Sequence, residues 1–151
     1  MKRVLVFCLV VGIAATVSGC WLVPDRWELK GTWQNMQETE SERTKTMLTF
    51  DGDFFAIEVY VAAPESDEFV LNDGYRGAYS LDSRERPKEI DVDTAQRYLP
   101  GGDGFWIDYE EKLPGIYQID DCEHIQLELN LDGVRPIGFG EDARRYTRAS
   151  R

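Results

Sequence analysis

Apolar and polar residues alternate in short segments along most of this chain, and this pattern limits the fold more than any other feature. The clearest segment runs from Ile125 to Leu131, where Ile or Leu occupies every second position and Gln, Glu or Asn lies between them. A period of two is typical of a β-strand with one buried face. No segment carries the sustained apolar stripe of an amphipathic helix, so we predict an all-β chain.

Turn-forming residues separate these segments. Asp51-Gly52 and Asp132-Gly133 readily adopt the positive φ of a tight turn, and the polar residues 63–74 predict a loop. Residues 94–104 are ambiguous, with a single helical turn over 93–99 as one reading. The strands that we predict are 29–37, 45–50, 54–62, 75–81, 88–93, 105–109, 113–119, 125–131 and 145–148.

About eight antiparallel strands predict a single, closed up-and-down barrel. Closure removes the unpaired edges that invite aggregation. A barrel of this size is either filled by side chains or holds one small ligand. Of the 18 Phe, Trp and Tyr residues, 17 follow residue 19, which is enough to line an apolar cavity or to fill it.

The first twenty residues have the three parts of an export signal. Lys2 and Arg3 precede an apolar run of 14 residues, Val4 to Val17, which is too short to span a bilayer as a helix but fits the core of a signal peptide. The next residues, Ser18-Gly19-Cys20, resemble the lipobox of bacterial lipoproteins. The resemblance implies cleavage after Gly19 and attachment of diacylglycerol to the Cys20 sulfur.

We therefore divide the chain into a signal peptide at 1–19, a lipidated cysteine with a short extended tether at 20–28, and one barrel domain at 29–148. We expect the mature protein in the cell envelope. The outer membrane is slightly favoured over the inner one, because Trp21 rather than Asp follows the cysteine. Cys8 leaves with the signal peptide and Cys20 carries the lipid, so Cys122 is expected to have no partner within the chain.

Charge excludes nucleic acid as a partner. The chain has 28 acidic and 17 basic residues, and because Lys2 and Arg3 lie in the segment to be removed, the mature part carries a net charge of −13. Phosphate backbones and anionic lipid headgroups are bound through Lys and Arg, which are in the minority here. Membrane attachment is therefore assigned to the lipid on Cys20.

Several motifs resemble those of a known family. Gly31-Thr32-Trp33 resembles the Gly-x-Trp signature of lipocalin-like barrels. The segments LTFDGD at 48–53, GAYSLD at 77–82 and GIYQID at 115–120, with Arg135-Pro136 downstream, extend the likeness. Together they resemble a lipocalin-like domain family that is abundant in planctomycete bacteria, often in lipoproteins. That family has no established activity, so the resemblance implies a fold and not a function.

The resemblance also implies a structural role for the tryptophan. In lipocalin-like barrels it packs across the closed end of the barrel, often under an arginine from a late strand. We expect Trp33 to do so, with Arg135, Arg145 and Arg148 as candidates for the cation. Gly31, Trp33 and Arg135 form the expected barrel-closure set.

No catalytic or metal-binding constellation stands out. His124 is the only histidine, and with Cys122 and nearby acidic residues it gives fewer converging ligands than a transition metal requires. Four carboxylate pairs lie in turns or on polar strand faces, where we expect solvated surface groups rather than the buried carboxyl that general acid–base catalysis needs. They are Asp51/Asp53, Asp91/Asp93, Glu110/Glu111 and Asp120/Asp121. We predict no catalytic residues, no metal and no cofactor.

The leading interpretation is a membrane-anchored, non-enzymatic envelope lipoprotein that binds a small apolar ligand or an envelope protein. The alternative is a packed barrel that serves only as an interaction module. A third hypothesis is an envelope hydrolase that uses two carboxylates. The sequence names no ligand-binding residues.

Overall fold

Eight antiparallel strands and one short helix make up the computed structural model, which describes residues 25–150. The helix α1 spans Asp25–Leu29, and the strands are β1 Gly31–Glu38, β2 Arg43–Asp51, β3 Phe54–Ala62, β4 Val70–Asp82, β5 Lys88–Leu99, β6 Phe105–Asp121, β7 His124–Leu129 and β8 Arg144–Ser150. Each strand pairs with the next, and β8 pairs back with β1, so the sheet closes. The predicted up-and-down barrel is confirmed.

Four segments differ from the prediction. Residues 94–99 continue β5, and the two strands predicted at 105–109 and 113–119 form one strand, β6. The register shifts between Thr94 and Gln96, so Ala95 is an extra residue that interrupts the alternation without ending the strand. β4 begins at Val70, inside the predicted loop, and part of the predicted extended tether is the helix α1.

The lower part of the barrel, next to α1, is filled with side chains. Trp33, Phe50 and Phe55 are almost completely buried, and the ring of Phe50 meets those of Phe55 and Tyr79 edge-on, with centroids 5.2 Å apart in each case. The backbones of β6 and β7 also approach each other closely, because a Cβ on Gly115 would lie 2.4 Å from the Glu128 carbonyl oxygen. This half of the barrel is a packed core.

The helix α1 covers this end, which we call the closed end. Asp25 accepts hydrogen bonds from the Tyr117 hydroxyl at 2.6 Å and from Lys88 Nζ at 2.8 Å. Leu29 is 1% exposed and belongs to the core. The described residues contain no helix long and apolar enough to cross a membrane.

The opposite end, which we call the open end, is uneven. β7 pairs with β6 only over Gly115–Asp121, so β6 from Phe105 to Pro114 rises beyond the end of β7. β8 in turn pairs with β1 only over Thr32–Gln34. We call the resulting gap the side notch. Because two strands are missing at this height, its width corresponds to three inter-strand spacings, or about 14 Å.

Candidate functional site

Trp33 and Arg148 meet at the closed end. Trp33 is fully buried, its indole Nε1 donates to the Leu29 carbonyl oxygen at 2.7 Å, and the Arg148 guanidinium carbon lies 3.9 Å from the centre of its ring. The guanidinium also donates to the carbonyl oxygens of Glu28 at 2.5 Å, Lys30 at 2.8 Å and Cys122 at 2.7 Å. Arg148 therefore ties α1 and the β6–β7 turn to β8.

The barrel-closure arginine is thus Arg148, and the expectation for Arg135 is wrong. Arg135 lies outside the barrel, where it donates to the Gly115 carbonyl oxygen at 2.7 Å and to Asp91 at 2.5 Å. It holds the long β7–β8 loop, residues 130–143, against β5 and β6. Arg145 pairs instead with Asp120 at 2.5 Å. Gly31 begins β1 with a φ of 122°, a conformation that favours glycine.

Cys122 is disulfide-bonded, so the expectation that it has no partner in the chain is wrong. Its partner lies outside the described residues, as do the other two cysteines, Cys8 and Cys20. A sulfur that carries a diacylglyceryl thioether cannot also form a disulfide. A molecule that has lost residues 1–19 and carries a lipid on Cys20 has no cysteine left to pair with Cys122, so this lipidated form and the Cys122 disulfide exclude one another.

The remaining polar residues singled out in the sequence lie in ordinary surface interactions. His124 Nδ1 is 2.9 Å from the Asp121 carboxylate, whose pKa is lowered by hydrogen bonds from the Glu123 backbone N–H and from His124. No three His, Cys, Asp or Glu side chains converge as metal ligands within residues 25–150. Asp51, Asp53, Asp91, Asp93 and Asp120 each face a basic side chain.

A polar and aromatic cluster lies inside the open end, on the part of the wall that rises above β7. Tyr75 and Tyr109 belong to the core or pack against it, and their ring centroids are 5.9 Å apart. The Arg97 guanidinium carbon lies 5.3 Å from the centre of the Tyr75 ring and 5.8 Å from that of Tyr109. We call Asp73, Tyr75, Arg97, Tyr109 and Glu111 the mouth cluster.

Hydrogen bonding in the mouth cluster is incomplete. The Tyr109 hydroxyl donates to Glu111, and this bond, followed by desolvation, raises the pKa of Tyr109. Burial likewise raises the pKa of Tyr75. Arg97 Nε lies 3.7 Å from Asp73, beyond hydrogen-bond distance, and is buried with no acceptor among the described residues. A buried N–H without an acceptor costs about 1–3 kcal/mol, so an oxygen atom placed there would be stabilised.

No local pattern in the sequence indicated the mouth cluster. Arg97 falls in the ambiguous segment, and the bulge at Ala95 shifts which residues of β5 point inward. A strict alternation from Val92 would turn Arg97 away from the core side. Arg97 and Tyr75 come to the same side only because the bulge reverses the parity of β5.

A broad groove lies on the outer face of β4, β5 and β6 and has a volume of about 1130 Å³. We call it the outer groove. Its apolar lining includes Phe54, Ala78 and Ala95. The carboxylates of Asp53, Asp93, Asp108 and Glu110 also line it, together with two basic residues, Arg76 and Lys112, that pair with Glu58 at 2.7 Å and Asp93 at 3.4 Å. The outer groove is therefore acidic, and it lies outside the barrel rather than in its lumen.

No family model, curated protein or solved structure matches this chain. The lipocalin-like resemblance therefore stays a prediction.

Proposed function

We propose that this chain is a lipid-anchored, non-enzymatic binding protein of the cell envelope, whose barrel takes a small, largely apolar ligand at its open end. The observation that carries this proposal is the mouth cluster, in which two tyrosine rings flank a guanidinium with a buried, unpaired Nε–H. Pockets for small molecules usually combine apolar walls with a few placed polar groups.

The charges of the mouth cluster indicate the kind of polar group the ligand carries. Arg97 has Asp73 close by, and Glu111 lies at the Tyr109 hydroxyl. A ligand carboxylate would add a further negative charge beside these two carboxylates. A neutral oxygen acceptor, such as a carbonyl or a hydroxyl, satisfies Arg97 Nε–H without that repulsion. We therefore propose a neutral ligand.

The packed closed half favours a second candidate, a barrel without a ligand that acts as an interaction module. Trp33, Phe50, Phe55 and Tyr117 are almost completely buried and fill the lower lumen, so the proposed ligand would have to bind at the open end. Ligand titration separates the two candidates, because the interaction module does not bind small apolar molecules.

The test is a fluorescence titration of the protein with N-phenyl-1-naphthylamine, a neutral apolar probe, followed by competition with oleyl alcohol or oleic acid. We expect Tyr109→Ala to weaken probe binding by about tenfold, since a lost aromatic contact of this size is worth about 1.4 kcal/mol. Arg84→Gln, at the exposed β4–β5 loop, is the matched control and should bind normally. Equal binding by Tyr109→Ala and wild type would contradict a site at the mouth.

Anchoring needs its own experiment. We expect mass spectrometry of the N-terminal peptide from membranes to show diacylglycerol on Cys20, and Cys20→Ser to release the protein from the membrane. A Cys20–Cys122 disulfide in the unreduced protein, without lipid, would refute the anchor and leave the open-end site unaffected.

A further inference from the structure

We infer that the upper part of β6 is a docking edge for an extended, basic segment of a partner protein, which adds to the sheet as a strand beside β6. The inference rests on the strand edge and the outer face and not on the small-ligand proposal, although the added strand would lie beside Tyr109 of the mouth cluster. Its evidence is an unpaired stretch of strand next to an acidic groove.

The edge is unpaired over most of a strand length. β6 pairs with β5 from Phe105 to Tyr117, but on its other side β7 reaches only as far as Gly115. The Asn130 N–H donates to the Pro114 carbonyl oxygen at 3.0 Å, and beyond this point no described strand pairs with the outer side of β6. Residues 106–112 therefore present backbone donors and acceptors to the side notch.

The direction of these backbone groups follows from the contacts of Glu111. Its N–H donates to Thr94 Oγ1 at 2.9 Å and its carbonyl accepts from the same atom at 2.9 Å, so both groups point toward β5. Backbone groups of successive strand residues point to opposite sides. Those of Asp108, Glu110 and Lys112 therefore point into the notch, as the Pro114 carbonyl does.

The side chains beside this edge select the partner. Trp106, Asp108, Glu110 and Lys112 share the outer face, and the last three line the outer groove. Lys112 pairs with Asp93, whereas Asp108 and Glu110 have no ion-pair partner among residues 25–150. A second copy paired antiparallel on this edge would set acid beside acid, which is unfavourable. A basic strand would pair its cations with both carboxylates.

The register gives the partner an alternating pattern. Partner residues that face outward beside Asp108 and Glu110 are expected to be basic. Partner residues that face inward beside Ile107 and Tyr109 are expected to be apolar. Strand addition of this kind takes its affinity from backbone hydrogen bonds and its specificity from alternate side chains. The net charge of −11 on the whole chain also speeds the approach of a basic segment.

The probe for the test is a short fluorescent peptide in which Arg alternates with Val, and its counterpart has Glu in place of Arg. Binding to the full chain is measured by fluorescence anisotropy, and the protected backbone is located by hydrogen exchange and mass spectrometry. We expect the Arg peptide to bind and to protect residues 105–114, and the Glu peptide not to bind.

Two double variants test the contribution of charge, and Asp108→Pro tests the backbone pairing at the edge. The double variant Asp108→Asn with Glu110→Gln should bind the Arg peptide about fivefold more weakly than wild type. The effect is modest because exposed ion pairs are individually weak. The control pair, Glu65→Gln with Glu85→Gln, lies in exposed loops and should change little. Asp108→Pro removes the N–H at the edge without removing a backbone hydrogen bond to β5. We therefore expect this variant to bind the Arg peptide about tenfold more weakly than Asp108→Asn does.

Several results would overturn the inference. These are no binding of the Arg peptide, equal weakening by the two charge pairs, or protection outside residues 105–114. Equal binding of the Arg peptide by Asp108→Pro and Asp108→Asn would also overturn it. So would a wild-type dimer that Asp108→Pro abolishes, because the edge would then pair with a second copy of this chain. If Asp108→Pro does not fold by circular dichroism, the charge pairs and the exchange pattern still decide.

Discussion

Removal of the Arg148 guanidinium tests the closed end of the barrel most directly. Arg148→Ala deletes three hydrogen bonds to carbonyl oxygens and the contact with the Trp33 ring. Hydrogen bonds to a charged group contribute about 1.5–3 kcal/mol each, and the cation–π contact about 0.5–2 kcal/mol. We expect the free energy of unfolding to fall by about 3 kcal/mol, less than the sum, because water reaches the carbonyls of the partly exposed Glu28 and Lys30 after truncation.

The measurement is urea denaturation followed by far-ultraviolet circular dichroism, supported by thermal melting. A loss of this size should lower Tm by about 10 °C for a domain of this length. Arg148→Lys keeps a cation near the ring but cannot bind three carbonyls together, so we expect about half the loss.

Arg145→Ala is the matched control, because Arg145 lies on the same strand and was an equal candidate from the sequence. Its side chain is 68% exposed and pairs with Asp120, so we expect a loss below about 1 kcal/mol. If Arg148→Ala costs no more than Arg145→Ala, the closed end does not depend on this residue and the reasoning is refuted.

Gly115→Ala should destabilise the barrel by about 2 kcal/mol in urea, because its Cβ would lie 2.4 Å from the Glu128 carbonyl oxygen, whereas Gly138→Ala, with no atom within 4 Å, should be neutral; equal effects would contradict the close packing. Burial raises the pKa of Tyr146 from 10.0 to about 12, so the unfolded state loses this proton first and stability should fall as pH rises through that window. Tyr146→Phe should make this slope shallower by up to about 1.4 kcal/mol per pH unit, and an unchanged slope would contradict the assignment. Arg135→Ala should speed hydrogen exchange in the β7–β8 loop by releasing it from Asp91 and Gly115, with Arg145→Ala as the control that leaves exchange there unchanged.

The local pattern of residues was sufficient to predict the strands that alternate regularly. β3 spans Phe54–Ala62 as predicted, because its turn and its alternation are both local signals. The up-and-down barrel followed from the number of strands and their short turns. Alternation failed at Ala95, where a bulge inserts one residue, and the ambiguous segment beyond it is the one that carries Arg97.

The cluster at the open end could not be derived in this way. Tyr75, Arg97 and Tyr109 come from three strands, and whether they share a face depends on the registers of β4, β5 and β6. The unpaired edge of β6 was also hidden, because closure was expected to leave no edge, whereas β7 and β8 are too short to close the upper barrel.

The sequence by itself determined the all-β character, the Asp-Gly turns and the acidic surface, and its resemblance to lipocalin-like barrels predicted the tryptophan that the closed end buries. Only the tertiary structure decided that Arg148, rather than Arg135, covers Trp33, and that Cys122 takes part in a disulfide. The physical reason is range. Alternation and turn preference act between neighbouring residues, whereas Trp33 meets Arg148 through the β1–β8 pairing, which joins the two ends of the barrel and is fixed only when the sheet closes.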